Sequence, residues 1–242
     1  MGAQKSATRW LRVNLGLHPE IFVAGRELHF WNSPAKVRSA EGIDRYRQQF
    51  AGWLGEPFVG ESTPGYMIWR HRPWRTARLI QQGIPEARLI ALLRNPIDRA
   101  QSALRHHIRR KRIPPGAVLA EVLRERQPAR FDRLCLVSGG WYAASLRPFH
   151  ELFGDQLMVV LHDDIVATPV GVYEEVVAHI GAGVGFVPAT IDRVVFGAGT
   201  GDDQRHVLTP EDRAKIWGFF RDDVARLEEL IGRDLSGWDP TV

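Results

Sequence analysis

The chain holds one cysteine, Cys135, in 242 residues. That excludes an internal disulfide, a cysteine-rich zinc site and a CxxC redox pair, and it agrees with a reducing, cytoplasmic setting. No apolar run approaches the roughly eighteen residues of a membrane helix. The start of the chain lacks the apolar stretch of a secretory leader. There is no GxxxxGK[ST] element and no cluster of His, Asp and Glu that demands a metal. Internal repeats are absent, and so is any RNA-binding motif with interleaved aromatics, which argues against nucleic acid as a partner.

What is present is enough for a sizeable core. Apolar residues make up 44% of the chain and charged residues 25%. The length suits one domain spanning 1–242. The formal charge is +4 and unevenly spread. From Trp69 to Arg133 there are sixteen Lys and Arg against five Asp and Glu, densest in "HHIRRKR" at 106–112. Such a patch suits an anionic partner, and it equally suits a solvated surface.

Apolar periodicity and punctuation order the elements. A helix is expected over 5–16 and a short strand over 21–25. A second helix is expected over 41–54, with Tyr46, Phe50, Trp53 and Leu54 inward. An extended run follows at 58–63, then a helix over 73–83. "ARLIALLRNP" at 87–96 and "QLMVVLHDD" at 156–164 read as parallel strands buried on both faces. The first leads into a helix from Pro96 to Arg110, the second into a helix over 170–180. Thr209, Pro210 and Asp212 spell a capping box that opens a last helix running to Ile231. Strands alternating with helices predict an α/β fold, a central parallel sheet flanked by helices in three layers. Segment 109–133 reads as an excursion, and 183–207 as a loop near the site.

Two stretches carry signals for phosphate. In "GAQKSAT", a glycine turn enters a helix, so backbone N–H groups and the helix dipole face one spot. Lys5 adds a charge, and Ser6 and Thr8 add hydroxyls. The alternative is an ordinary helix cap with a surface lysine. In "LLRNPIDRAQSALRHH", Arg94 stands just past a buried strand, where ligands of open α/β sheets bind. Ser102 follows on the next helix. The pair can hold one phosphate from two sides, while Arg99 on the same helix can instead pair structurally with Asp98, Glu61 or a helix end. Together the two stretches suggest a ligand with two separated anionic groups.

Six segments, in order, give the chain a family resemblance. "GAQKSATRWLRVNLGLHP", "GRELHFW", "ESTPGYM", "LIALLRNPIDRAQSALRHH", "GGWYAASLRPF" and "LMVVLHDDIVATPVGVYEEVVAHIG" resemble the PAPS-dependent sulfotransferases, and most closely their heparan sulfate and carbohydrate branch. The resemblance covers roughly residues 2–181 and implies a P-loop-containing fold. It also implies transfer of a sulfuryl group from 3′-phosphoadenosine 5′-phosphosulfate (PAPS) to a hydroxyl or amine. The acceptor would be a glycan, a glycolipid or a natural product, and no metal would be needed. By the same resemblance Lys5, Ser6, Ala7 and Thr8 cradle the 5′ end, and Arg94 and Ser102 bind the 3′-phosphate. Tyr142 completes the nucleotide pocket and Arg205 closes over it. Glu27 is the expected base, a role a carboxylate lined up with the acceptor hydroxyl can fill. His29, two residues on, falls on the same side if the segment is extended. It is the second candidate for base, or else a packing histidine at the rim. Lys5 would also offset the charge that develops as the bond to sulfur breaks.

The chain departs from that pattern in three places. Where the carbohydrate enzymes often have lysine after the glutamate of "ESTPGY", this chain has Ser62, so Arg9 or Arg26 is expected to supply the charge. The disulfide-bearing C-terminal loop is absent. Family members run a buried strand into the first loop, and here only Met1 to Ala3 stand before Gln4, so a truncated start or a short sheet edge is expected. Trp31, Tyr46, Trp53, Tyr66, Trp69 and Trp74 offer an aromatic acceptor cleft. The rival readings are a P-loop phosphotransferase using Asp163 and Asp164, a non-catalytic binder of nucleotide or anionic polymer, and a degenerate family member.

Overall fold

The computed structural model describes residues 1–68, 72–125, 132–193 and 207–241. The two apolar runs form β3 (Leu89–Leu93) and β4 (Leu157–Leu161), paired in parallel with Leu89 opposite Leu157. Alternation explains why the run is unbroken. Ala91 and Leu93 enter the larger core cluster, whereas Leu92 points the other way into a second cluster with Trp10 and Val176. A strand covered on both faces has no polar side to show. A second parallel pair joins β1 (Ile21–Val23) to β2 (Phe58–Gly60). The short segment before the first loop lies on the edge of β3, where Ala3 N–H donates to Leu92 at 2.6 Å and Leu92 N–H to Gly2 at 2.9 Å.

Helices cover both faces. On one side lie α1 (Thr8–Leu15) and the helix after β4, Pro169–Ile180, whose Tyr173, Val176 and Val177 are fully buried. On the other lie α4 (Pro73–Gly83), α5 (Pro96–Arg109) and the helix Tyr142–Phe153. Counting in chain order, α2 (Pro34–Val37) and α3 (Ala40–Arg47) come before α4, and α6 (Leu119–Glu125) follows α5. Tyr142–Phe153 is α7, His162–Ala167 is α8 and Pro169–Ile180 is α9. The chain closes with α10 (Pro210–Trp217) and α11 (Arg221–Ile231). This is the expected three-layer α/β architecture, with its parallel strands in two pairs. Among the described residues no helix is long and apolar enough to cross a membrane.

Local chemistry sets the element ends. Asn95 caps α5 by accepting from Ile97 N–H at 3.0 Å, and Pro96 fits its first turn. The capping box at α10 forms as read, Thr209 Oγ1 accepting from Asp212 N–H at 3.1 Å. Three expectations are corrected. The helix over 41–54 ends at Arg47 in a 3₁₀ turn, leaving Trp53 51% and Leu54 92% exposed. Strand β4 stops at Leu161, because Asp163 and Asp164 suit the positive N-terminal end of α8. The last helix is two, broken at Gly218 to Phe220, where a tight turn sends Phe220 into the core beside Trp217.

Candidate active site

Two left-handed residues shape the first loop. Lys5 has φ 74° and Ala7, the cap of α1, has φ 65°. Helix α1 has no side-chain cap and no acidic residue in its first turn. Its first N–H groups thus face the loop without a carboxylate to answer them. Ala7 and Ser6 are buried, and Ser6 faces the Tyr142 phenol. Thr8 and Lys5 are half-buried.

Lys5 sits among cations. Burial first, then Arg109, Arg105 and Arg94, hold its pKa below the ordinary lysine value. Arg94 follows the C-terminal end of β3, and its carbonyl accepts from the Tyr142 hydroxyl at 2.9 Å. Tyr142 is itself buried, edge-on to Trp238 with ring centroids 6.2 Å apart. It braces the backbone that presents Arg94. On α5, Ser102, Arg105, His106 and Arg109 stand at spacings of three, four and seven, so they share one helix face. The field there is strong. Burial, then Lys5 and His107, push His106 down to about 4. Arg105, His106 and Arg109 thus join Lys5, Arg94 and Ser102. Their spacing was visible in the sequence, but a basic helix end also reads as plain surface.

Glu27 and His29 meet at 3.3 Å, Oε2 to Nε2, both about half exposed. They do so without an extended segment. His29 has φ 48°, so a turn, not strand alternation, brings the side chains together. Beneath them lies a residue that was not singled out for the site. Glu61 Oε2 accepts from Thr63 Oγ1 at 2.6 Å, and Oε1 accepts from the Tyr66 hydroxyl. Thr63 Oγ1 in turn accepts from Leu28 N–H at 3.0 Å and His29 N–H at 3.4 Å. Tyr66 Oη accepts from Trp31 N–H at 3.4 Å. Two hydroxyl relays therefore tie the backbone over 28–31 to one carboxylate, which burial holds above its ordinary pKa.

The other expectations sort as follows. Arg26 turns to Gln49 at 2.8 Å and Arg9 is exposed. The cation that touches the Glu27 element is Lys36, which donates to the His29 carbonyl at 3.2 Å. Trp31, Tyr46 and Phe30 pack on one another, with Tyr46 stacked on Phe30 at 4.1 Å, and Tyr66 is buried nearby. Trp53 and Trp74 are exposed, while Trp69 and Arg205 lie outside the described residues. Asp163 is bonded by Trp238 at 2.8 Å, and Asp164 is paired with Arg233 at 3.1 Å. Among the described residues, no three His, Cys, Asp or Glu side chains gather as a metal site.

No family model matches the chain. It is 27% identical over 184 residues to heparan sulfate glucosamine 3-O-sulfotransferase 3B1 of Mus musculus, a match covering 75% of this chain and 45% of that protein. It is 29% identical over 198 residues to bifunctional heparan sulfate N-deacetylase/N-sulfotransferase 3 of Homo sapiens, covering 75% of this chain and 22% of that protein. The chain spans less than half the length of these relatives. It is also similar to a sulfotransferase from Alicyclobacillus acidocaldarius, known by crystal structure. The TM-score is 0.80 at 31% identity, covering 98% of this chain and 96% of that one.

Proposed function

Because the chain belongs to the PAPS-dependent sulfotransferase family, we propose that it moves the sulfuryl group of PAPS to an acceptor hydroxyl or amine. The observation that carries this reading is the convergence of Lys5, Arg94, Arg105 and Arg109 on one loop. Like charges crowd together where an anion is to complete them. The turn amides of Lys5 to Thr8 hold the 5′-phosphosulfate at the N-terminal end of α1. Arg94 and Ser102 hold the 3′-phosphate, with the Tyr142 hydroxyl fixing the carbonyl of Arg94.

In the transfer, the acceptor oxygen or nitrogen bonds to sulfur as the bridging oxygen–sulfur bond breaks. Glu27 takes the acceptor's proton, and 3′,5′-adenosine bisphosphate (PAP) leaves. Lys5 offsets the charge that gathers on the bridging oxygen. His29, 3.3 Å from Glu27, orients that carboxylate. The similarity to heparan sulfate sulfotransferases favours a carbohydrate acceptor. Ser62 leaves room for a donor-binding protein without turnover, and the test separates the two.

Calorimetry with PAP comes first. We expect binding that is lost in Arg94→Ala, and folded protein that ignores PAP would sink the proposal. Glu27→Gln should then keep PAP affinity and lose sulfate transfer from PAPS to a glycan panel, read by mass. Full activity in Glu27→Gln would remove Glu27 as base, and no transfer in the wild type would favour the binder.

A further inference from the structure

The segments that carry the family resemblance end near residue 181, yet a turn close to the end of the chain, Ser236–Trp238, is built into the sheet end where Arg94 stands. Trp238 is buried, and its neighbours come from three separate stretches. Its carbonyl accepts from Asn95 Nδ2 at 3.0 Å. Its ring stands edge-on to Tyr142. Its indole N–H donates to Asp163 Oδ2 at 2.8 Å. Two of these neighbours bear on one short piece of backbone. Asn95 follows Arg94, and its Oδ1 accepts from Ile97 N–H to start α5, the helix that carries Ser102. The Tyr142 hydroxyl holds the Arg94 carbonyl. Trp238 thus braces both the strand end and the helix start between which the 3′-phosphate is read to sit.

The third neighbour is a charge. Leu93 is paired with Leu161, so Arg94 and Asp163 leave adjacent strand ends one and two residues beyond that pair. Asp163 is held below the usual carboxylate range, by His162 first and then, against the effect of burial, by Trp238, with Arg94 a smaller contributor. It is therefore an anion in the field of the guanidinium that is to bind phosphate. Both of its oxygens have neighbours. Oδ1 lies 3.8 Å from His162 Nδ1, and Oδ2 accepts the indole N–H. Without the indole, Oδ2 would compete with phosphate for the donors of Arg94.

We propose that Trp238 is a positioning residue for recognition of the 3′-phosphate: by holding Asp163 Oδ2 and the Asn95 amide, it keeps Asp163 off Arg94 and sets Arg94 against Ser102. It acts through these neighbours rather than on the nucleotide. The proposal rests on the donor reading above, in which Arg94 and Ser102 hold that phosphate.

The test compares PAP with 5′-AMP by calorimetry, since the two nucleotides differ by the 3′-phosphate alone. Trp238→Phe keeps a ring against Tyr142 and the carbonyl that faces Asn95, and it removes the N–H to Asp163. It should weaken PAP binding about tenfold, the scale of a charge-assisted hydrogen bond, and leave 5′-AMP as in the wild type. Adding Asp163→Asn should restore PAP binding, because asparagine has no charge to hold Arg94. A merely loosened fold would weaken both nucleotides together and would not be repaired by a second substitution. Unchanged PAP affinity in Trp238→Phe, equal losses for the two nucleotides, or a double variant no better than the single one each overturns the proposal. Asp163→Asn alone keeps an acceptor for the indole and should bind PAP at least as tightly as the wild type. Weaker binding there also overturns the proposal, and this variant decides it if Trp238→Phe does not fold. A wild type that ignores PAP is a different result, which removes the donor reading and this proposal with it, whereas PAP binding that is indifferent to Trp238 removes the proposal alone.

Discussion

Glu61→Gln is expected to uncouple stability from turnover. Glutamine matches the shape of the glutamate but has one carbonyl oxygen in place of two. In the wild type each oxygen receives a hydroxyl, from Thr63 and from Tyr66, and each hydroxyl also accepts a backbone N–H of the segment that carries Glu27 and His29. In the variant one hydroxyl must turn around, and its own proton loses its acceptor. An unmade hydrogen bond of this kind is worth about 1–3 kcal/mol. If that much is lost from alignment of the segment in the transition state, kcat falls about 5- to 150-fold. The pH dependence of global stability changes as well. Burial raises the pKa of Glu61 in the folded protein, so the fold prefers the neutral carboxyl. Wild-type stability is then fullest below the unfolded pKa and declines as pH rises through the folded one. Glutamine imitates the neutral form and lacks that decline. Urea unfolding should show a wild-type stability that declines as pH rises above about 4 and a variant stability without that decline. Steady-state kinetics should show the loss in kcat, with donor affinity unchanged. A variant that is as active as the wild type would refute the relay.

Lys5→Ala should lower kcat about 10²- to 10³-fold, the usual scale for removing a preorganised charge at a transition state, while PAP still binds through Arg94; an unchanged kcat in a PAPS assay would count against the role. His106 is pushed from 6.5 to about 4 by burial and its cationic neighbours, so its contribution to stability is complete above pH 6.5 and is lost as pH falls towards 4. His106→Gln should flatten that acid slope in thermal unfolding, and PAP should take up protons on binding near pH 5.5, measured in buffers of different ionisation enthalpy. Ala7→Gly relieves a left-handed Cβ costing about 1–2 kcal/mol but frees the unfolded chain by about 0.4–1 kcal/mol. The expected melting temperature is close to wild type with weaker PAP binding, and tighter binding would show that the loop is not preorganised.

Much of the fold was legible because a few residues overdetermine it. Leu89–Leu93 and Leu157–Leu161 are apolar at every position, and only a strand covered on both faces uses such a run. Thr209 and Asp212 satisfy each other's backbone whatever lies around them. The misreadings fall where local pattern and tertiary demand differ. The periodicity that put Trp53 and Leu54 on an inward face assumed a helix continuing past Arg47, but the chain turns there to reach β2. Likewise 210–231 keeps a helical rhythm through Gly218, and only the need to seat both Trp217 and Phe220 in the core breaks it.

The site divides along the same line. Lys5 and Arg94 could be found because each stands at a position whose backbone invites an anion, a loop entering a helix and the end of a parallel strand. Arg105 and Arg109 carry the same charge on a helix surface, where charge is ordinary. What distinguishes them is that Lys5, across from them, is half-buried and feels both. Glu61 is thirty-four residues from Glu27 and joins it only through two hydroxyls and three backbone N–H groups. No spacing rule connects such residues. Arg99 is the extreme case. In sequence it is one more arginine on a basic helix, five residues after Arg94. Burial alone turns it from a surface charge into a packed one that donates to the Leu136 carbonyl, and that difference of environment is why two arginines of one short segment serve different ends.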